Sequence, residues 1–329
     1  MQNHDPDLIV QTQLLSKTYR TTTGFFKKKV RETEAVQGVD MEVRKGELFG
    51  LVGPNGVGKT TIVKMLTSLL LPTSGTIRVL GFDVVKETKH IRPHIGFIFG
   101  GSRGLYSRLS ALDNLRYFAE LYALDPQVSR PRIDELLTLV GLKGRELERV
   151  ETYSTGMMQR LQIARMLLHD PDVLFLDEPT LGLDPVAARE FRQLVKGLTE
   201  LGKTLLLTSH NMLEIDELCG RVAVINHGQI IALGQPREIK MQVKQGNVCD
   251  ITIANPCYPS TLPVLEILGK AYRTHQVKAS ENQMLSVYDA DPQDVLKIIA
   301  PLLEASWVQN VEFRQPTLED AYIALVKGI

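Results

Sequence analysis

The sequence predicts an α/β protein in two parts, and three observations carry that prediction. Residues 9 to about 236 alternate strand-like apolar runs with helix-like amphipathic ones, the pattern of an α/β domain. Within that stretch the run GPNGVGKTT, Gly53 to Thr61, sits between a predicted buried strand and a predicted helix. After a break at Gly234 to Asn247 the pattern restarts as βαββαβ plus a final helix, which suits a small α+β, ferredoxin-like domain over 248–329.

Length and composition set the outer bounds. A chain of 329 residues suggests about two domains, and a hydrophobic share of 43% is enough for a sizeable core. Lys plus Arg and Asp plus Glu both number 38, so formal net charge is zero. Nucleic-acid binders usually carry a basic surplus, so no nucleic-acid partner is expected. Cys219, Cys249 and Cys257 are odd in number and lack metal-ligand spacing, as reduced cytosolic thiols do. No run approaches the roughly 20 apolar residues needed to span a bilayer. The polar, acidic start MQNHDPDLIV is no signal peptide. A cytoplasmic location is expected, with any membrane role reached through a partner.

The elements follow in order. The first strand pattern, from Ile9, is broken by TTTGFFKKKVRE, Thr21 to Glu32. This charged stretch reads as a solvated hairpin tip. The sharper alternative has Lys27, Lys28, Lys29 and Arg31 touching anionic lipid headgroups, with Phe25 and Phe26 as apolar anchors. LFGLVG, Leu48 to Gly53, is a buried strand, and TIVKMLTSLL, Thr61 to Leu70, an amphipathic helix. VLFLDEPT, Val173 to Thr180, is a second buried strand, and LLLTSH leads to His210. Residues 237–247 read as a linker. Beyond it, NVCDITIAN alternates like a strand, VLEILGK is helical, and two strands are expected near Val277 and at QMLSVYDA. DPQDVLKIIAPLLEAS is a helix opened by Asp291 as cap and Pro292 in the first turn. WVQNVEFRQ is a strand, and TLEDAYIALVKG a closing helix with Thr317 as N-cap. No catalytic motif falls in this second part.

The chemistry is concentrated in the first part. Gly53, Gly58, Lys59 and Thr60 fit the phosphate-loop pattern G-x-x-x-x-G-K-[ST] at every specified position. Pro54, Asn55, Gly56 and Val57 complete the loop, and Thr61 follows in the helix. Its backbone N–H groups would turn inward around a phosphate, aided by the helix N-terminus. Lys59 reaches β and γ phosphates, and the Thr60 hydroxyl holds Mg²⁺. A phosphate loop alone does not separate kinases, GTPases and motor ATPases; the downstream acids do. Asp177 and Glu178 end a buried strand, which puts both carboxylates beside the loop. Asp177 is read as a Mg²⁺ ligand and Glu178 as the group that orients the attacking water. Ser154 and Gly156, in YSTGM, open another helix and make a second anion-binding corner.

With these motifs in hand, the chain resembles the nucleotide-binding subunit of an ATP-binding cassette (ABC) transporter. Over residues 9–236 it carries Walker A at Gly53 to Thr60, the signature at Ser154 to Met157, Walker B at Val173 to Glu178, and a D-loop at Gly182 to Pro185. The resemblance implies a phosphate-loop NTPase cassette with a mixed sheet and a helical signature subdomain at about 100–168. It also implies that His210 is the switch histidine that contacts the γ-phosphate. Tyr19, in LSKTYR, would stack on adenine. Two copies would pair head to tail in the ATP-bound state, each ATP lying between one copy's Walker motifs and the other's Ser154 and Gly156. Asp184 would couple the two sites across that interface. The details resemble the multidrug and antibiotic (daunorubicin-resistance-like, ABC-2 type) exporters, whose membrane permease is a separate chain. Such a subunit would sit in the cytoplasm, peripheral on the inner face of the cell membrane. The tail PTLEDAYIALVKG is similar to the accessory domain of that subfamily. A non-transport ABC ATPase and a regulatory ATP-binding module are the alternatives.

Two positions depart from the family pattern. Thr155 stands where the signature usually has glycine. The glutamine expected after the strand near IGFIFGGSRGLY is replaced by Gly100 or Gly101, so the usual side-chain amide for Mg²⁺ is absent. The segment Ser102 to Leu115 is still expected to face the membrane partner.

Overall fold

The computed structural model describes residues 7–23, 29–100, 104–242, 248–254, 262–279, 282–288, 291–304 and 308–327. The chain forms two compact units, Met1–Gln235 and Pro236–Ile329.

The first unit opens with two long strands, β1 (Leu8–Thr23) and β2 (Lys29–Arg44), paired antiparallel. The pairing runs through Thr21↔Arg31 and Thr23↔Lys29, so the strands extend into the stretch read as a break. Thr21, Arg31 and Glu32 are polar and exposed there, so no apolar alternation marks the pairing in the sequence. The residues of the expected tip, including Phe25, Phe26, Lys27 and Lys28, lie outside the described residues, as do Gly101 and Cys257. Then come β3 (Leu48–Val52), α1 (Lys59–Leu66), β4 (Ser74–Val79), β5 (Phe82–Asp83), α2 (Thr88–Ile91) and β6 (Ile95–Phe99). Helix α1 stops short of Leu70. Thr67 turns its hydroxyl back to Val63 O at 2.8 Å, and Ser68 adopts φ 60°, which the right-handed helix cannot continue.

A helical segment follows: α3 (Ala111–Leu121), α4 (Pro126–Leu139) and α5 (Thr155–Met166), which pack on one another. The unit closes with β7 (Val173–Asp177), α6 (Pro185–Glu200), β8 (Thr204–Ser209), α7 (Met212–Leu218), β9 (Arg221–Asn226) and β10 (Gln229–Gly234). Two sheets result. One is antiparallel, in the order β2-β1-β4-β5; the other is mixed, in the order β10-β9-β3-β8-β7-β6, with only β10 antiparallel. Every residue of β3, β7 and β8 is buried, as parallel strands covered on both faces must be. Phe49, Leu51, Ile62, Met65, Phe175 and Leu206 join one core that also takes in Val10 and Val43 of the antiparallel sheet.

The second unit begins with α8 (Pro236–Gln242) and continues β11 (Val248–Ala254), α9 (Leu262–Ala271), β12 (Arg273–Ala279), β13 (Asn282–Tyr288), α10 (Pro292–Glu304), β14 (Val308–Arg314) and α11 (Leu318–Lys327). Its sheet is antiparallel in the order β12-β13-β11-β14, a ferredoxin-like arrangement. Ile251, Leu268, Leu285, Val295 and Ile299 are among its core residues. Asp291 Oδ1 accepts from Gln293 N at 2.9 Å, and Thr317 Oγ1 from Asp320 N at 3.2 Å, so both expected caps form. The stretch read as a linker differs: over Pro236–Gln242 it is helix, packed against α11 with Ile239 fully buried. One buried isoleucine among polar neighbours leaves no periodic signal strong enough to read.

Candidate functional site

Three neighbouring parallel strands, in the order β3-β8-β7, deliver three loops to one sheet edge. The loop after β3 is Gly53 to Gly58, and α1 starts at Lys59. Gly58 takes φ 114°, and a Cβ there would collide with the Ala35 carbonyl, so the loop closes onto α1 only with glycine. Pro54, Asn55 and Gly56 are exposed, Val57 and Thr61 are half-buried, and Lys59 is buried. The Lys59 ammonium donates to Gly53 O at 2.7 Å and Pro54 O at 3.0 Å.

Strand β7 brings the acids. Asp177 Oδ2 accepts from Thr60 Oγ1 at 2.8 Å, and its Oδ1 accepts from Thr208 Oγ1 at 2.6 Å. Glu178 follows with φ 50°, a left-handed conformation that a non-glycine residue holds only when its surroundings force it. Its N–H meets the carbonyl and hydroxyl of Thr208, both at 3.1 Å. Its carboxylate lies between two nitrogen partners: Oε1 is 3.1 Å from Lys59 Nζ, and Oε2 is 2.7 Å from His210 Nδ1. The Glu178 side chain is 14% exposed, so this pairing is little screened by water. Lys59, Thr60, Asp177, Glu178 and His210 therefore converge, although more than a hundred residues separate the first from the last.

Thr208 is the contact that sequence reasoning missed. Its signal was its place in LLLTSH, two residues before His210, but its partner Asp177 becomes visible only once β7 and β8 are neighbours in register Asp177↔Thr208.

Of the remaining expected residues, Tyr19 and Gly100 border this cluster, while Ser154, Gly156 and Asp184 sit at the N-terminal ends of α5 and α6. Tyr19 is 39% exposed, with its hydroxyl 3.5 Å from Thr61 Oγ1 and Lys17 Nζ 5.6 Å from its ring centroid. Ser154 is exposed and caps α5, its Oγ accepting from Met157 N at 3.2 Å. Thr155 is exposed, so its bulk meets solvent, whereas Gly156 is buried against Ala187 of α6. Asp184 is exposed and caps α6 through Val186 N and Ala187 N, both at 3.0 Å. Gly100 follows β6 and lies against the Asp177 and Glu178 backbone, where a Cβ would come 3.3 Å from Glu178 O.

Comparison with known proteins identifies the family. The ABC transporter family profile matches residues 36–181. The chain is 34% identical over 301 residues to the daunorubicin resistance ATP-binding protein DrrA3 of Streptomyces coeruleorubidus, covering 91% of this chain and 93% of that protein. The chain belongs to the ABC transporter ATP-binding proteins. Another ABC relative, NatA of Bacillus subtilis, is 42% identical over 209 residues, 64% of this chain and 85% of that one. Among solved ABC structures, cbiO1 of Clostridium perfringens, part of the cbiONQ complex, aligns with TM-score 0.63 at 29% identity, covering 72% of this chain and 92% of cbiO1. The cassette MJ0796, solved as a post-hydrolysis dimer bound to ADP and Pi, aligns with TM-score 0.60 at 26% identity, covering 69% of this chain and 98% of that one. As an ABC ATP-binding protein the chain binds and hydrolyses ATP. Among the described residues no helix is long and apolar enough to cross a membrane.

Proposed function

We propose that this subunit drives drug or antibiotic export through a separate membrane permease, from the inner face of the cell membrane. The observation that carries the mechanism is the Glu178 carboxylate held between Lys59 and His210 at the mouth of the phosphate loop. When ATP enters, Lys59 leaves Gly53 O and Pro54 O for the β and γ phosphates, while the loop amides cradle them. Tyr19 stacks on the adenine. Glu178 orients the attacking water, and His210 contacts the γ-phosphate. The developing charge is met by Lys59 and the loop amides in place before the reaction starts. Mg²⁺, when bound, neutralises phosphate charge; the Thr60 hydroxyl and Asp177 Oδ2 are hard oxygen donors 2.8 Å apart and suit it. Among the described residues no group of three or more His, Cys, Asp or Glu forms a metal cage. A two-ligand set of this kind relies on phosphate oxygens and water for the rest.

Exposure of Ser154 and Asp184 supports a head-to-tail dimer in which a second copy of this chain completes each ATP site. The daunorubicin-resistance relative supports export as the direction. A largely apolar cavity of ≈ 770 Å³, lined by Phe97, Phe118, Tyr122 and Leu124 among others, supports docking of the permease on the helical segment. Exposed Tyr106 and Leu109 on that segment support it too. Equal numbers of acidic and basic residues speak against nucleic acid as a partner.

The test is the pair Lys59→Ala and Glu178→Gln. Lys59→Ala is expected to weaken ATP binding and turnover by at least 10-fold, roughly the loss of one charge-assisted contact. Glu178→Gln is expected to bind ATP and abolish turnover. Wild-type hydrolysis in either variant overturns the assignment.

A further inference from the structure

Glu214 lies in the first turn of α7 and is 3% exposed. A single oxygen of its carboxylate, Oε2, accepts from two hydroxyls on different segments, Thr180 Oγ1 in the loop after β7 and Ser209 Oγ at the end of β8, each at 2.9 Å. Thr180 is two residues beyond Glu178, and Ser209 directly precedes His210. Ser209 Oγ accepts in turn from Asn211 N at 3.0 Å, and Asn211 Oδ1 caps α7 through Leu213 N at 3.1 Å and Glu214 N at 3.3 Å. The same turn that carries the carboxylate is thus tied to the loop carrying His210. The other oxygen, Oε1, is buried and has no hydrogen-bond partner among the described residues.

Stability alone does not favour this arrangement. Burial pushes the Glu214 carboxyl up, with the nearby Glu178 adding to it, while the Thr180 and Ser209 hydroxyls and Arg192 pull it back only in part. A half-satisfied buried carboxylate costs more than an apolar side chain of the same size in the same place. What the carboxylate supplies is geometry. Glu178 sits at φ 50°, so its segment needs fixed neighbours on both sides. Thr208 fixes it from the strand side, at 3.1 Å. Through Thr180, Glu214 fixes the side that follows.

We propose that Glu214 is a positioning residue for ATP hydrolysis, which staples the Thr180 loop to Ser209 and so sets Glu178 against His210. The proposal rests on the hydrolytic reading above. It differs from a packing role because the acceptor oxygen matters and the charge and volume do not.

The experiment measures steady-state ATPase of the full-length chain in Mg²⁺-ATP, with nucleotide affinity measured separately. Glu214→Leu fills the space without an acceptor; kcat is expected to fall about 10- to 100-fold, as small misplacements of catalytic groups do, with KM for ATP changed less than about threefold. Glu214→Gln retains an acceptor oxygen for both hydroxyls and is expected to recover most of kcat. Full activity in Glu214→Leu overturns the proposal, and so does a Glu214→Gln variant as impaired as Glu214→Leu. So does a KM that rises in step with the fall in kcat. If Glu214→Leu does not fold, Thr180 decides: Thr180→Val is expected to lose kcat and Thr180→Ser to keep it, and equal behaviour of the two overturns the proposal. A wild-type chain that does not hydrolyse ATP defeats the functional reading itself; active wild type with unaffected variants defeats the staple alone.

Discussion

At Gly156 the side-chain space is decided by one neighbour. A Cβ there would lie 2.8 Å from the Ala187 Cβ, so α5 and α6 approach through this glycine. Alanine gains about 1 kcal/mol of helix propensity, but forcing the contact costs about 1–3 kcal/mol of overpacking. Gly156→Ala is therefore expected to lower the melting temperature, and adding Ala187→Gly is expected to restore it; additivity of the two changes in a thermal melt would refute the contact. Gly100 presents the opposite case. Its Cβ position is tight but open enough for a small adjustment, 3.3 Å from Glu178 O. Since the water-orienting role lies on Glu178, Gly100→Gln is expected to leave basal ATPase within about an order of magnitude of wild type. A rise of several orders would mean that the natural glycine impairs catalysis.

Among the elements, α11 is held by charge. Arg314 at the end of β14 reaches Asp250 of β11 at 2.6 Å and Asp320 of α11 at 2.5 and 3.1 Å. Burial acts to raise the Asp320 carboxyl, yet the bonds from Arg314 and from the Thr317 N–H and hydroxyl outweigh it and hold it below the ordinary 3.8. A carboxyl whose folded value is depressed stabilises the fold above its unfolded value, and that stabilisation is lost as pH falls through the folded one. Acid titration is expected to weaken the second unit below about pH 3.8. Asp320→Asn should lower stability at neutral pH and flatten that dependence. Arg314→Met leaves two carboxylates unpaired and is expected to cost about 2–4 kcal/mol, reduced from the fully buried case because the arginine is partly exposed. Equal urea midpoints for Arg314→Met and wild type at neutral pH would show that the pairing contributes nothing.

At the scale of the molecule, every motif of the nucleotide site lies in Met1–Gln235. A chain ending at Gln235 is expected to fold and bind ATP as the full chain does. One ending at Gln242 keeps α8 without α11, exposes Ile239, and is expected to be less soluble. Loss of nucleotide binding in a folded 1–235 chain would place part of the site elsewhere. For the intact protein, Glu178→Gln with Mg²⁺-ATP is expected to scatter light as a species of twice 36.8 kDa. A variant that stays monomeric at high concentration would argue against the head-to-tail pair.

The sequence by itself determined the phosphate loop, the Asp177–Glu178 pair, His210 and the βαββαβ order of the second unit. These are local: each needs particular residue types at short spacing, or an apolar period carried by one element. The tertiary structure alone decided which strands are neighbours. The order β3-β8-β7 joins strands far apart in the chain, and nothing local records such pairing, so Thr208 beside Asp177 and Glu214 between Thr180 and Ser209 could not be read beforehand. The left-handed turn at Glu178 was hidden for the same reason. Glutamate does not ask for φ 50°; the carbonyl and hydroxyl of Thr208, supplied by a strand some thirty residues away, hold it there.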